Sequence, residues 1–343
     1  MPGLRNRALA LSAALVAVLS AAALTGCAPV SAEPTIQASS PASASYTWPR
    51  DLTMFDNTGE RVGQTLTADP KRVVVIGQNL AELMIAFGVQ DRIVGIGYLD
   101  GADSYYKDEL DRLPKLSDQV PSAEAVLALE PDLILSMSFA MTEESMGTIK
   151  TWNDRGIPVL TADNYTIGRD LQSYFTDIQN LGAAFDVSAE TDAYIAQEKQ
   201  TLDEIRAVAA TATSRPNVLL VASGGSNKLT YNYYSPSLGL VDEMVDAAGG
   251  TYVEVSEEVY AEMSSESIIK ANPDVIVMTQ FQKSSAEAEK DKLIHDQRLA
   301  SVTAVSSGQV MLLDYATVVR GTPHLGELTR QLAVFLHPEL DFS

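Results

Sequence analysis

The stretch Ser122-Ala-Glu124-Ala-Val-Leu-Ala-Leu-Glu-Pro131-Asp132-Leu-Ile-Leu returns 142 residues later as Ser264-Ser-Glu266-Ser-Ile-Ile-Lys-Ala-Asn-Pro273-Asp274-Val-Ile-Val. In each copy a Ser stands where a short helix needs an N-terminal acceptor, a Glu occupies the first turn, and Pro-Asp ends the helix before an apolar run. One such passage is a local connection. Two in matched order predict a chain built from two related lobes.

On either side of these units, short β-branched runs alternate with helical stretches. The runs are 72–77 (RVVVIG), 93–98 (IVGIGY), 132–138 (DLILSMS) and 157–160 (IPVL), then 218–223 (VLLVAS), 274–279 (DVIVMT) and 309–314 (QVMLLD). Continuous apolar strands separated by helices predict parallel sheets covered on both faces. Residues 188–211 lack Gly and Pro and place Ile195, Leu202, Ile205 and Ala209 on one face, with Ser188 as the expected cap. The fold expected is α/β: an N-terminal lobe over 46–167, an interlobe helical region over 168–212 holding one long bridging helix, and a C-terminal lobe over 213–343. Each lobe carries a central, mostly parallel sheet.

The chain has 343 residues, a formal charge of −21, three His and one Cys. Excess acid argues against nucleic acid as a partner, because a phosphate backbone is bound by a basic face. A single Cys excludes an internal disulfide framework and any multi-Cys metal set, and three scattered His do not make a His-rich cage. No metal centre or resident cofactor is expected.

The Cys has a more specific meaning. Arg5 and Arg7 precede an apolar run over 8–24, which closes on Leu24-Thr25-Gly26-Cys27. This order predicts a lipoprotein signal over 1–26, with lipid attached at Cys27. Residues 28–45 are almost all Ala, Ser, Pro, Thr and Val, too poor in apolar surface to fold, so 27–45 reads as a disordered tether. The body is then held at the extracytoplasmic face of a bacterial membrane.

The lipid-attachment motif, the hairpin-like segment 51–66 with its Asn57-Thr58-Gly59 turn, the Lys71-Arg72-Val73-Val74 strand entry, the twin Ser-x-Glu…Pro-Asp units and the closing Leu336-His337-Pro338-Glu339 together resemble class III solute-binding proteins. These serve ABC importers of ferric siderophores, haem and vitamin B12. The likeness runs from about Thr47 to Pro338. It implies a monomer of two lobes bridged by one long helix, with the ligand in the cleft between them. It also implies a permease dimer, with its cytoplasmic ATPase, gripping one Glu per lobe; here those are Glu124 and Glu266. A Glu in a first turn has a local explanation in the helix dipole, and only the matched pair points to a two-fold partner.

In open α/β sheets a ligand lies beyond the carboxyl ends of the strands. Those ends carry Gln78-Asn79, Tyr98-Leu99-Asp100, Ser138-Phe139, Asn164-Tyr165, Gly224-Gly225-Ser226, Gln280-Phe281 and Asp314-Tyr315. The candidate ligand-binding residues are Tyr98, Phe139, Tyr165, Tyr231, Tyr260, Phe281, Tyr315 and Arg320. Tyr231, Tyr233 and Tyr234 are expected to crowd the loop after 218–223, and the resemblance puts an aromatic lining residue at Tyr260. Single tyrosines are more often packing residues, whereas recurrence at strand ends suits a large, partly polar ligand. Ferric siderophores are often neutral or anionic chelates, so a positive group in the cleft is expected, supplied by Arg320 and after it Arg169. The resemblance also covers haem and cobalamin; His324 near the rim and a tyrosine ligand keep haem open.

Enzyme chemistry finds little support. Phosphate-loop, His-Glu-x-x-His and Gly-x-Ser-x-Gly motifs are missing from the sequence. Gly95-Ile-Gly97 lacks the third Gly of a dinucleotide fingerprint and reads as a tight turn, and Ser223-Gly224-Gly225-Ser226 has no following Lys-Ser/Thr. A surface-anchored hydrolase is the rival from another class and needs a nucleophile and base converging in the cleft. The expected function is capture of a ferric siderophore without turnover.

Overall fold

Val73-Val-Val-Ile76, buried at every position, becomes the centre of the first sheet. The computed structural model describes residues 47–100, 104–162, 168–223, 231–236, 238–258, 260–281 and 285–343. An antiparallel hairpin, β1 (Arg50–Phe55) and β2 (Arg61–Leu66), comes first. Its turn is closed by the Asp56 carboxylate, which accepts from the Thr58 amide and hydroxyl and the Glu60 amide, with Gly59 at φ 83°.

The first sheet contains β3 (Val73–Ile76), β4 (Ile93–Gly97), β5 (Lys115–Ser117), β6 (Leu133–Met137) and β7 (Val159–Ala162). All pairs are parallel, in the order β5-β4-β3-β6-β7. The second sheet contains β8 (Asn217–Ser223), β9 (Tyr231–Tyr234), β10 (Thr251–Tyr252), β11 (Tyr260–Met263), β12 (Val275–Thr279) and β13 (Val310–Leu312). Its order is β11-β9-β8-β12-β13, with β10 on the edge of β8. Here β8, β10, β12 and β13 run parallel, while β9 and β11 are antiparallel additions. The tyrosines expected in a loop after 218–223 are therefore strand residues.

The repeated Pro-Asp has a structural reason in both lobes. The Asp132 carboxylate accepts from the Lys71 and Arg72 amides at 2.8 Å each, and its own amide donates to the Arg72 carbonyl at 2.9 Å. Asp274 does the same to Asn217, with both bonds at 2.9 Å. Each Asp thus pins its strand, β6 or β12, to the start of the lobe's central strand, β3 or β8. The residues before the prolines, Glu130 (φ 46°) and Asn272 (φ 40°), both take the left-handed conformation that ends the preceding helix.

Helix Ser188–Ala209 has 22 residues, about 33 Å of rise. Its buried positions Thr191, Ile195, Glu198, Leu202, Ile205 and Ala209 recur every three or four residues, as the apolar face predicts. Ser188 is not its cap: Val187 holds that position, and no side chain caps the end. Gly95-Ile-Gly97 is not a turn either. It lies in β4, where a Cβ at Gly95 would meet Leu129 at 2.6 Å and one at Gly97 would meet Pro121 at 2.9 Å. These glycines let the segments on either side of helix Ala123–Leu127 pack closely against the sheet.

One apolar cluster continues from the first sheet through helices Leu171–Phe185 and Ser188–Ala209 to the second sheet and helix Leu325–Leu336. Two smaller clusters cover the opposite faces of the sheets. Because the main core is shared, the described residues form one compact unit. No helix among them is long and apolar enough to cross a membrane.

Candidate functional site

The carboxyl ends of β4, β6, β12 and β13 bring four aromatic residues together. Tyr98 follows β4, Phe139 follows β6, Phe281 follows β12 and Tyr315 follows β13. Their rings contact in series: Phe139 to Tyr98 at 5.1 Å, Tyr98 to Phe281 at 6.1 Å, and Phe281 to Tyr315 at 5.0 Å. Tyr234 of β9 and Tyr260 of β11 extend the row, with Tyr315–Tyr234 at 6.2 Å and Tyr234–Tyr260 at 5.3 Å. The Tyr234 and Tyr315 hydroxyls lie 2.7 Å apart. The row runs from half-buried Phe139, Tyr98 and Phe281 to buried Tyr315 and Tyr234, and ends on Tyr260, 46% exposed. Tyr98 has φ 59°, a costly conformation for a bulky residue. It is held there by amide bonds to the Ser117 and Gln119 carbonyls and by a bond from the Gln78 amide to its own carbonyl.

Arg320 ends a π-helical turn, Ala316–Arg320, that follows Tyr315. Its guanidinium sits 5.3 Å from the Tyr98 ring, 5.4 Å from Tyr315 and 5.9 Å from Phe139, within cation–π reach of all three. It is not an exposed positive group. Its side chain is 0% exposed, and its Nε donates to Asp100 Oδ1 at 2.9 Å, a partner 1% exposed. Nη1 also approaches the Met137 sulfur at 3.0 Å. The expectation that Arg320 presents free charge to an anionic ligand is therefore corrected: its charge is already answered inside the protein. Arg169, the second choice, is also buried, bonding Asp177 at 3.0 Å and the Arg320 carbonyl at 2.9 Å. It positions Arg320.

Two further acids stand beside this pair. Glu82, on helix Gln78–Ala86, accepts from Gln78 at 3.0 Å and from Ser104 at 2.7 Å, and Gln78 in turn accepts from the Asp100 amide at 3.1 Å. Asp314 accepts from the Thr317 amide and hydroxyl. Burial, then the Asp314 charge, pushes Glu82 up to about 7. Burial also raises Asp100, to about 6, against the pull of Arg320. Sequence reading missed Glu82; the available signal was a lone acid among the apolar residues that follow Gln78-Asn79 in this helix (QNLAELMIA).

Raised carboxyls make a testable contribution to stability. In the unfolded chain these groups titrate near 4, so the fold favours their protonated forms. That stability is fully present below the unfolded values and is lost as pH rises from about 4 to 7. Asp56, Asp69 and Asp296 are held below their ordinary value and act oppositely, losing stability only in stronger acid. The unfolding free energy from urea titration is expected to be higher at pH 5 than at pH 8, by a few kcal/mol in order of magnitude. Glu82→Gln should remove part of the difference, and equal pH dependence in both proteins would refute the assignment.

The remaining expected residues divide. Glu124 and Glu266 are exposed in the first turns of helices Ala123–Leu127 and Ser265–Ala271, which Ser122 and Ser264 cap. Bonds from their own amides and from the capping serines hold both carboxyls below the ordinary value. Tyr231 does not join the ring row: it is 4% exposed in the outer cluster of the second sheet, with Leu219, Val221 and Met263. Tyr165, Cys27, the signal over 1–26 and the tether over 27–45 lie outside the described residues. His324 stacks on Tyr105 at 3.7 Å between ring centres. Among the described residues, no group of three or more His, Cys, Asp or Glu is arranged to hold a metal ion.

Comparison with known proteins agrees with this architecture. The model of the periplasmic binding protein family matches residues 73–317. An uncharacterized ABC transporter substrate-binding lipoprotein of Bacillus subtilis is 26% identical over 288 residues, covering 84% of this chain and 86% of that protein. A cobalamin-binding protein of Halobacterium salinarum is 23% identical over 281 residues, covering 80% and 71%. The solved structure of an ABC-type Fe3+-hydroxamate transport protein from Saccharomonospora viridis superposes with a TM-score of 0.69 at 19% identity, covering 83% and 98%. Two α/β lobes, a long helix between them, ligand-sized aromatics at the strand ends and a family match across well over half the chain lead to one assignment. The chain belongs to the periplasmic binding protein family, as a non-enzymatic, class III solute-binding component of an ABC importer.

Proposed function

We propose that this protein captures a bulky chelate of near-neutral net charge, a corrinoid of the cobalamin class, and delivers it to its permease while anchored through Cys27 at the outer face of the membrane. The observation that carries this reading is the pairing of an aromatic row with a charge-compensated arginine. Flat π-faces from both lobes suit a large ring system with apolar faces and amide edges. The polar floor beneath them pairs Arg320 with Asp100, and Asp314 and Glu82 stand close enough to be coupled to that acid, so it offers no surplus positive charge to an anionic ligand.

The expectation of a ferric siderophore, neutral or anionic, came from the family resemblance; a buried, paired Arg320 removes only the support for an anionic one. A neutral ferric hydroxamate is the second reading, favoured by the same charge balance. Haem, with two propionates, meets the same acidic floor. The cobalamin-binding name of the Halobacterium relative is consistent with the first reading. Tyr98 and Phe281 belong to different lobes yet touch, so a ligand enters by parting the lobes. Tyrosine and tryptophan fluorescence titrated with cyanocobalamin, a neutral ferric trihydroxamate, a ferric tricatecholate and haemin tests the proposal. Quenching by cyanocobalamin with a sub-micromolar Kd and no turnover is expected; tight binding of the tricatecholate with none of cyanocobalamin would overturn it.

A further inference from the structure

We infer that Asp100 determines the charge specificity of this cleft: its carboxylate cancels the charge of Arg320 and makes the site discriminate against chelates with net negative charge. This builds on the proposed function only in placing the ligand against the aromatic row.

The argument starts from position. Asp100 stands two residues after Tyr98, and Arg320 lies under the rings of Tyr98, Phe139 and Tyr315, so the ion pair forms the floor beneath the row. Both side chains are withdrawn from water, and in a low-dielectric floor a unit charge acts strongly over several ångströms. With Asp100 ionised, a ligand above the rings meets a dipolar pair instead of a cation. Asp314 adds negative potential beside the same pair, since it raises the cost of ionising Asp100, and Glu82 is coupled to both of these acids. An anionic chelate therefore faces two penalties: no compensating cation and nearby acids of like sign.

A structural salt bridge needs no second and third acid beside it. A site built to attract anions would leave its arginine uncompensated. An arginine paired to Asp100, with Asp314 and Glu82 coupled to that acid, fits selection against negative charge, achieved by repulsion as well as by fit.

Binding of a trianionic ferric tricatecholate and an uncharged ferric trihydroxamate, measured at pH 8 so that the carboxyls are ionised, tests this. In Asp100→Asn the ratio of tricatecholate to trihydroxamate affinity is expected to rise at least about thirty-fold, the scale of a single ligand charge several ångströms from one uncompensated charge at an effective dielectric constant near 20. Glu82→Gln, which keeps an acceptor for Gln78 and Ser104, should raise the ratio less and in the same direction. Adding Arg320→Gln to Asp100→Asn should abolish the gain.

An unchanged ratio in a folded Asp100→Asn protein overturns the inference, as does a gain that survives loss of Arg320. Should Asp100→Asn not fold, an unchanged ratio in Glu82→Gln overturns it alone. The two readings separate cleanly: a wild-type protein that ignores cyanocobalamin but shows this charge discrimination removes the corrinoid proposal and leaves Asp100 in its role.

Discussion

Replacing Glu124 and Glu266 together by alanine is expected to abolish uptake while ligand affinity in solution stays unchanged. Both carboxylates are exposed, ionised and set in the first turn of a short serine-capped helix, one in each lobe. Exposed ion pairs contribute little to affinity, but they steer and orient an encounter. A carrier that must dock, unload and leave needs orientation more than tight binding. On the docking reading one remaining contact still grips one lobe, so each single variant should retain part of the transport. On the same reading the loss of both leaves the cleft unregistered over the permease entry, and transport should fall at least a hundred-fold. Neither Glu touches the ring row, and each helix keeps its serine cap, so fold and cleft should survive. Uptake of labelled ligand by cells carrying the double variant, beside titration of the purified protein, separates docking from capture. Wild-type transport by the double variant would falsify the docking role.

The repeat carries much of the fold in the sequence, because Pro-Asp has a local job that needs those two residues. Proline ends a helix, and Asp bonds to backbone at the start of a neighbouring strand; both lobes use the same device. The long helix was legible for a similar reason, since its buried positions follow one period. What escaped sequence reading depends on tertiary neighbours. Arg320 and Asp100 are 220 residues apart, and nothing in either segment marks the pair. A cleft arginine read alone looks like a ligand-facing cation; its burial inverts that meaning.

Tyr231-Asn-Tyr-Tyr234 shows a different kind of limit. Read as a loop, its tyrosines are interchangeable, and Tyr231 was the one expected in the pocket. As strand β9 they alternate. Tyr231 and Tyr233 enter the outer core, while Tyr234 faces the other way and meets Tyr315 and Tyr260. The residues lack a continuous apolar run because this antiparallel strand edges the cleft, so periodicity within four residues could not reveal it.

That alternation yields a paired expectation. Phe281→Ala removes the ring that joins Tyr98 of one lobe to Tyr315 of the other. A central aromatic anchor of this kind is expected to cost about 3 kcal/mol of binding, a hundred-fold or more in Kd. Phe281 is only half-buried, so the fold should lose less than the ligand does. Tyr231→Ala should do the reverse. It empties a site packed by Leu219, Val221, Met263 and Ile276, costing about 3–5 kcal/mol of stability and leaving Kd for the folded fraction within a few-fold. Urea denaturation and ligand titration of the two variants, at a temperature where Tyr231→Ala remains folded, measure both quantities. If Tyr231→Ala weakened binding as much as Phe281→Ala, the ligand would have to reach the outer face of β9. The ring row would then be internal packing that happens to bridge the lobes.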